Sequence, residues 1–214
     1  VKLASLKLQD AGSKVAASGA ETAPELTAAK ALIEEATSTL DKFDEANRIT
    51  GEDLQAVQAK VDQAKDLVAK AGGSGDVEKS IASAEEAIAS AMAATKKDDM
   101  ANLAADAASA ASDGARRLEK TVSSKGASGR NLTKVTSNVA EAEKALGAVA
   151  LVEVYGDGAK DADINAANAT VGSALKALDE EIKAADGDLA AELKEVKATM
   201  EKAAVSLEKR TSFK

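Results

Sequence analysis

Residues 102 to 115 read NLAADAASAASDGA, and half of them are alanine. The stretch carries almost no reactive side chain, so its meaning is structural. Alanine has the lowest cost of any residue in a helix interior, and its small side chain lets two helices lie close together. Asn, Asp and Ser at the intervening positions suit a hydrated face. The rest of the chain has the same texture. About a quarter of its 214 residues are Ala, and Phe43, Tyr155 and Phe213 are the only aromatics. A thick globular core usually contains several large rings. Ala, Val and Leu fill a thin seam between helices instead. The abundance of Ala, Glu, Lys and Leu is that of long helices, and the length allows one or two domains.

Periodic apolar positions run outward from this stretch in both directions. Val1, Ala4, Leu8, Ala11 and Val15 form an a/d seam, which weakens near Gly19. Thr22, Pro24 and Glu25 suggest a cap for a second helix with a seam of Leu26, Ala29, Ile33, Ala36, Leu40 and Phe43, fading around Asn47. Thr50-Gly51-Glu52-Asp53 reads as a turn and a new cap, followed by Leu54, Val57, Val61, Ala64, Val68 and Ala71. Gly72-Gly73-Ser74-Gly75 is the strongest breaker in the chain and predicts a reversal between antiparallel helices.

Asp76 is the expected cap of the next segment, whose face is Val77, Ile81, Ala84, Ile88, Ala91 and Thr95. Lys96 to Asp99 reads as a kink or short loop. Met100, Leu103, Ala107, Ala111, Leu118 and Val122 carry the face onward, with Gly114 inside it. Lys125 to Arg130 forms another break. Asn131 or Ser128 then caps a segment faced by Leu132, Val135, Val139, Ala142, Leu146 and Val149. Its end, Val149 to Tyr155, is the one run with a strand-like pattern, and it also fits a helix end. From Ile164 to Leu207 a single stripe predicts one helix of roughly 50 residues, about 75 Å long. The expectation is an all-α fold, an elongated antiparallel bundle of long helices in a single domain over 1–214. The final helix serves as its central staff and its C-terminal end, near Lys214, lies at one extremity.

Composition also restricts function. The formal charge of −8 and the absence of any long Lys/Arg run argue against a nucleic-acid partner. Arg116–Arg117 is the densest basic pair and reads as a solvated helix face. With neither Cys nor His, disulfides, thiolate metal sites and His-based triads are excluded. Ser123-Ser124-Lys125 reads as a solvated helix end rather than a Ser–Lys site. The paired acids Glu34–Glu35, Glu85–Glu86, Asp98–Asp99 and Glu180–Glu181 point about 100° apart on a helix and are expected to hydrate. Asp161, Asp163 and Asn165 match the opening of a calcium loop. Ala166 then replaces the turn glycine and Gly172 the bidentate Glu, so no metal site is expected. No catalytic residue and no cofactor is assigned. Asn131-Leu132-Thr133 and Asn168-Ala169-Thr170 are candidate glycosylation sites, with Asn131 at a helix start and Asn168 within a helix. No apolar run approaches the roughly 18 residues of a membrane span. The start at Val1 reads as that of a processed or truncated fragment.

The Ala/Glu/Lys texture, the 72–75 glycine turn and the closing LKEVKATMEKAAVSLEKRTSFK resemble the glutamic acid/alanine-rich surface proteins of African trypanosomes. The resemblance implies a non-enzymatic coat protein on the outer face of the plasma membrane. It also implies a C-terminal glycolipid anchor, which lies beyond this chain. Its partners are then neighbouring coat molecules and an unspecified vector or host ligand. Alternatives are a surface receptor or binding module of helical-bundle type, favoured by an exposed apolar patch near one end, and an intracellular coiled-coil scaffold.

Overall fold

Thr50 and Asp53 show how locally these helices are specified. In the computed structural model, the Thr50 hydroxyl accepts from the Asp53 N–H over 3.2 Å, and the Asp53 carboxylate accepts from the Thr50 N–H over 3.0 Å. This reciprocal box satisfies two donors that the first helical turn leaves without partners. Residues 1–18, 23–43, 49–125 and 131–212 are described by the structure. Gly19, Thr22, Asn47, residues 126–130 and Lys214 lie outside them, as do the side chains of Ser124 and Lys125. So Thr22 and Ser128 as caps, the fading at Gly19 and Asn47, and a chain end near Lys214 concern undescribed residues.

The described residues contain seven α-helices and no strand: α1 (Lys2–Ala17), α2 (Pro24–Lys42), α3 (Gly51–Lys70), α4 (Gly75–Lys125), α5 (Thr133–Tyr155), α6 (Asp161–Ala184) and α7 (Gly187–Ser212). Pro24 occupies the first turn of α2, where its missing N–H costs nothing. Asn131 accepts from the Thr133 N–H over 3.1 Å at the start of α5.

The chain divides into two compact units, Val1–Lys96 and Lys97–Lys214. The first packs α1, α2, α3 and the early turns of α4 around a seam that includes Leu8, Ile33, Leu54 and Ile81. Cross-helix contacts fix the directions. Ser5 donates to Asp41 over 2.5 Å, Lys60 pairs with Glu35 over 2.9 Å, and Lys65 pairs with Glu85 over 2.8 Å. Consecutive helices therefore run antiparallel. Lys65 and Glu85 lie on opposite sides of the 72–75 turn, where Gly72 takes a φ of 68°, a conformation that glycine adopts without a Cβ penalty.

The second unit packs the later turns of α4 with α5, α6 and α7 around Ala107, Leu146, Leu178, Leu193 and Met200. Lys134 on α5 reaches Glu180 on α6 over 2.6 Å, and Lys197 on α7 reaches Asp179 on α6 over 2.8 Å. Ala104, Ala107, Ala111, Gly114 and Leu118 all turn inward. The alanine-rich stretch is thus a narrow core face. A Cβ built on Gly114 would lie 3.1 Å from the Met200 sulfur, which shows how closely α4 and α7 approach.

Four expectations are corrected. The final stripe is not one helix: α6 ends at Ala184 and α7 begins at Gly187, whose φ is 57°. Asp186-Gly187 is the turn signal that ends it. The 3/4 spacing stays in phase across the turn, from Ala185 to Leu189, so periodicity alone could not show it. The central-staff role falls with it, since α7 has 26 residues and α4 has 51. Of the two readings of Lys96 to Asp99, a helical kink or a short loop, the loop is overturned, since α4 runs through them as helix. The seam breaks here instead: after Thr95 the next buried residue is Ala104, and Met100 and Leu103 are only partly buried. Finally, α4 starts at Gly75, so Asp76 sits inside the first turn, where its charge complements the helix dipole.

Candidate functional site

The most unusual feature of the second unit is a buried ion pair. Glu153 on α5 and Arg210 on α7 are 1% and 4% exposed. Arg210 Nε donates to Glu153 Oε1 over 2.8 Å, and a guanidinium Nη2 donates to the same oxygen. Arg210 also donates to the Ala159 carbonyl over 3.3 Å, while the Ala159 N–H donates to Glu153 Oε1 over 3.1 Å. The pair thereby ties the α5–α6 connection to the last turns of α7. Gly158, with a φ of 95°, lets that connection fold back. Burying two charges costs several kcal/mol each, so the pair needs these added hydrogen bonds.

Neither residue was singled out by sequence motifs. The signal lies in the seams. Glu153 continues the α5 series of Leu146 and Val149, and Arg210 continues the α7 series of Ala203 and Leu207. Opposite charges at two seam positions, both at helix C-terminal ends, are legible once looked for.

The same turn of α5 shows apolar side chains to solvent. Leu151, Val152, Val154 and Tyr155 are 61%, 42%, 44% and 84% exposed. Val149 to Tyr155 is helical, so its strand-like pattern yields to the end of α5.

In the first unit, Ser80 is buried beside Asp10 and Lys14. Lys14 Nζ donates to Ser80 Oγ over 2.6 Å, Ser80 Oγ donates to Asp10 over 2.8 Å, and Lys14 lies 3.1 Å from Asp10. The Ser80 hydroxyl, then Lys14, holds the Asp10 carboxyl below its ordinary range. Ser–Lys nucleophilic chemistry needs a neutral lysine as base. Lys14 is half exposed, and its ammonium group donates to the Ser80 hydroxyl rather than accepting from it. The cluster pins α1 to α4.

Some of the paired acids do more than hydrate: Glu34 pairs with Lys30 on its own helix. Glu35, Glu85 and Glu180 each reach a lysine on a neighbouring helix. Arg116 is exposed and pairs with Asp113, and the two line an open groove of about 610 Å³ with Glu192 and Glu195. Asp161, Asp163 and Asn165 are exposed on the first turns of α6. Helical geometry turns successive members of that series roughly 200° apart, so they do not converge as a calcium loop does. Among the described residues no cluster of three or more acids has metal-binding geometry. Asn131 and Asn168 are both exposed, Asn168 on a helical face. No described helix is long and apolar enough to cross a membrane.

No family model, curated protein or solved structure matches the chain.

Proposed function

We propose that this chain is a structural, non-enzymatic protein of a cell-surface coat, held on the outer face of a plasma membrane by a C-terminal glycolipid anchor. The observation that carries the reading is the use to which the side chains are put. Buried positions form two thin seams of Ala, Val, Leu and Ile, and charged residues on neighbouring helices pair across the surface. Such a design supports a densely packed protective layer. The resemblance to the trypanosome glutamic acid/alanine-rich proteins supports the same reading. Neighbouring coat molecules and the membrane anchor are then its partners, and nucleic acid is not.

The test is surface biotinylation of intact trypanosomes expressing the precursor, before and after treatment with a phosphatidylinositol-specific phospholipase C. Labelled protein released into the medium by the enzyme is the expected result. Protein that is protected from the label in intact cells, or labelled but retained after hydrolysis of control anchors, contradicts the proposal.

A further inference from the structure

We propose that the C-terminal end of α5 is a docking surface for a partner protein segment that presents an apolar anchor among basic side chains. The inference goes beyond the structural role and stands independently of it. From Ala145 to Tyr155 the only charged residue is Glu153. A helix lying on a core normally turns its charge outward and its apolar residues inward. This turn does the reverse. Glu153 is buried, while Leu151, Val152, Val154 and Tyr155 are exposed. At 100° per residue, these four side chains cover roughly 160° of the helix, the whole outward face of the turn. Earlier on α5 the outward face carries Lys134, Glu141 and Lys144.

Single exposed apolar residues are ordinary, but a contiguous group rimmed by polar residues marks an interaction site. The buried pair adds a second argument. Glu153 belongs to the same turn as the exposed group, and its bonds to Arg210 and to the Ala159 N–H hold that turn in place. A fixed surface loses less entropy on binding.

Charge selects the occupant. The rim that follows Tyr155 exposes Asp157, Asp161 and Asp163 against Lys160. That excess repels anionic lipid and the identical rim of a second copy, and it attracts Lys and Arg. Size points the same way. Four side chains offer apolar surface on the order of a few hundred Å², short of the roughly 800 Å² per partner of a stable protein dimer. A short segment with one or two apolar anchors fits.

Tyr155 is the only tyrosine and the chain has no tryptophan, so tyrosine emission reports on this surface alone. The experiment titrates the intact chain with two pools of short synthetic peptides free of Tyr and Trp. Both carry Leu and Phe at helical spacing, one interleaved with Lys and Arg, the other with Asp and Glu. The expected result is a saturable change in emission with the basic pool only. Binding weakens about tenfold or more in Leu151→Glu and loses much of its salt dependence in the triple variant Asp157→Asn/Asp161→Asn/Asp163→Asn. Circular dichroism confirms that the variants remain folded. Equal binding of both pools, or no saturable response to either, overturns the proposal. So does self-association in sedimentation that Leu151→Glu abolishes, or binding to phosphatidylcholine or phosphatidylserine vesicles in place of peptide.

Discussion

Glu153 and Arg210 stand 57 residues apart in the chain and meet inside the second unit, with Arg210 Nε 2.8 Å from Glu153 Oε1. Each occupies a position where its helix elsewhere places an apolar residue. The contact therefore replaces the end of the seam between α5 and α7 with a charged clasp that also holds the intervening loop.

Breaking the clasp on one side leaves a buried charge without its partner. Arg210→Met is expected to destabilise the protein by about 3–5 kcal/mol. The double variant Glu153→Leu/Arg210→Met is expected to recover most of that loss, because apolar side chains complete the seam. Urea unfolding followed by circular dichroism measures both. A double variant as unstable as Arg210→Met would show that the loop contacts of Ala159, rather than the charge pair, dominate.

The glycines inside helices are not equivalent. A Cβ on Gly147 or Gly172 meets nothing within 4 Å, so replacing either by Ala is expected to stabilise by about 0.5–1 kcal/mol through helix propensity. Gly114→Ala is expected to gain less, because its Cβ meets the Met200 sulfur at 3.1 Å. Ala107 is fully buried, and Ala107→Leu is expected to cost about 1–3 kcal/mol by overpacking the α4 seam. Thermal melts of the four variants rank them.

At the start of α3, Thr50→Ala removes the hydroxyl that accepts from the Asp53 N–H. The expected loss is about 1 kcal/mol. Amide exchange in the first turn of α3 should speed up with it, and unchanged exchange there would mean the cap is dispensable.

The pH dependence follows from groups whose charged forms are hydrogen-bonded. Asp10 is held below its ordinary range by the Ser80 hydroxyl and then Lys14, Asp53 by Thr50, and Glu180 by Lys134. In that range the unfolded chain binds more protons, so stability rises with pH. These contributions are complete above the unfolded carboxylate range, near pH 4, and are lost as pH falls through the lower folded values. Lys65 is raised by Glu85 and Lys197 by Asp179. Their contributions are complete below about pH 10 and are lost as pH rises through the folded values. All five groups are near the surface, so salt weakens the effect. Melting temperature is expected to be flat between about pH 5 and 10, to decline on both sides, and to decline less steeply in high salt.

The all-α class and most buried positions were legible because a/d spacing is a local signal. Leu26 to Leu40, Leu54 to Val68 and Val77 to Thr95 are buried at the spacings that periodicity gives. Periodicity was silent where a turn preserves phase, as between Ala185 and Leu189. It misled at Met100 and Leu103, because a helix that serves two separate cores need not keep one register. The clasp was harder to read. Seam patterns are scored on apolar residues, so a charge at a seam position looks like the pattern's end. Only the pairing of Glu153 with Arg210 across the unit shows that the seam continues.

The central structural claim is that two separately packed helical cores are joined through α4. Hydrogen exchange by mass spectrometry on the intact chain, comparing the native protein with Arg210→Met, tests it most directly. Arg210→Met is expected to raise exchange in α5, α6 and α7, with the Ala185–Gly187 turn already fast in the native protein, and to leave α1, α2 and α3 protected as before. Equal loss of protection in α1 to α3 would contradict two separate cores, and uniform protection through residues 185–187 would contradict the division between α6 and α7.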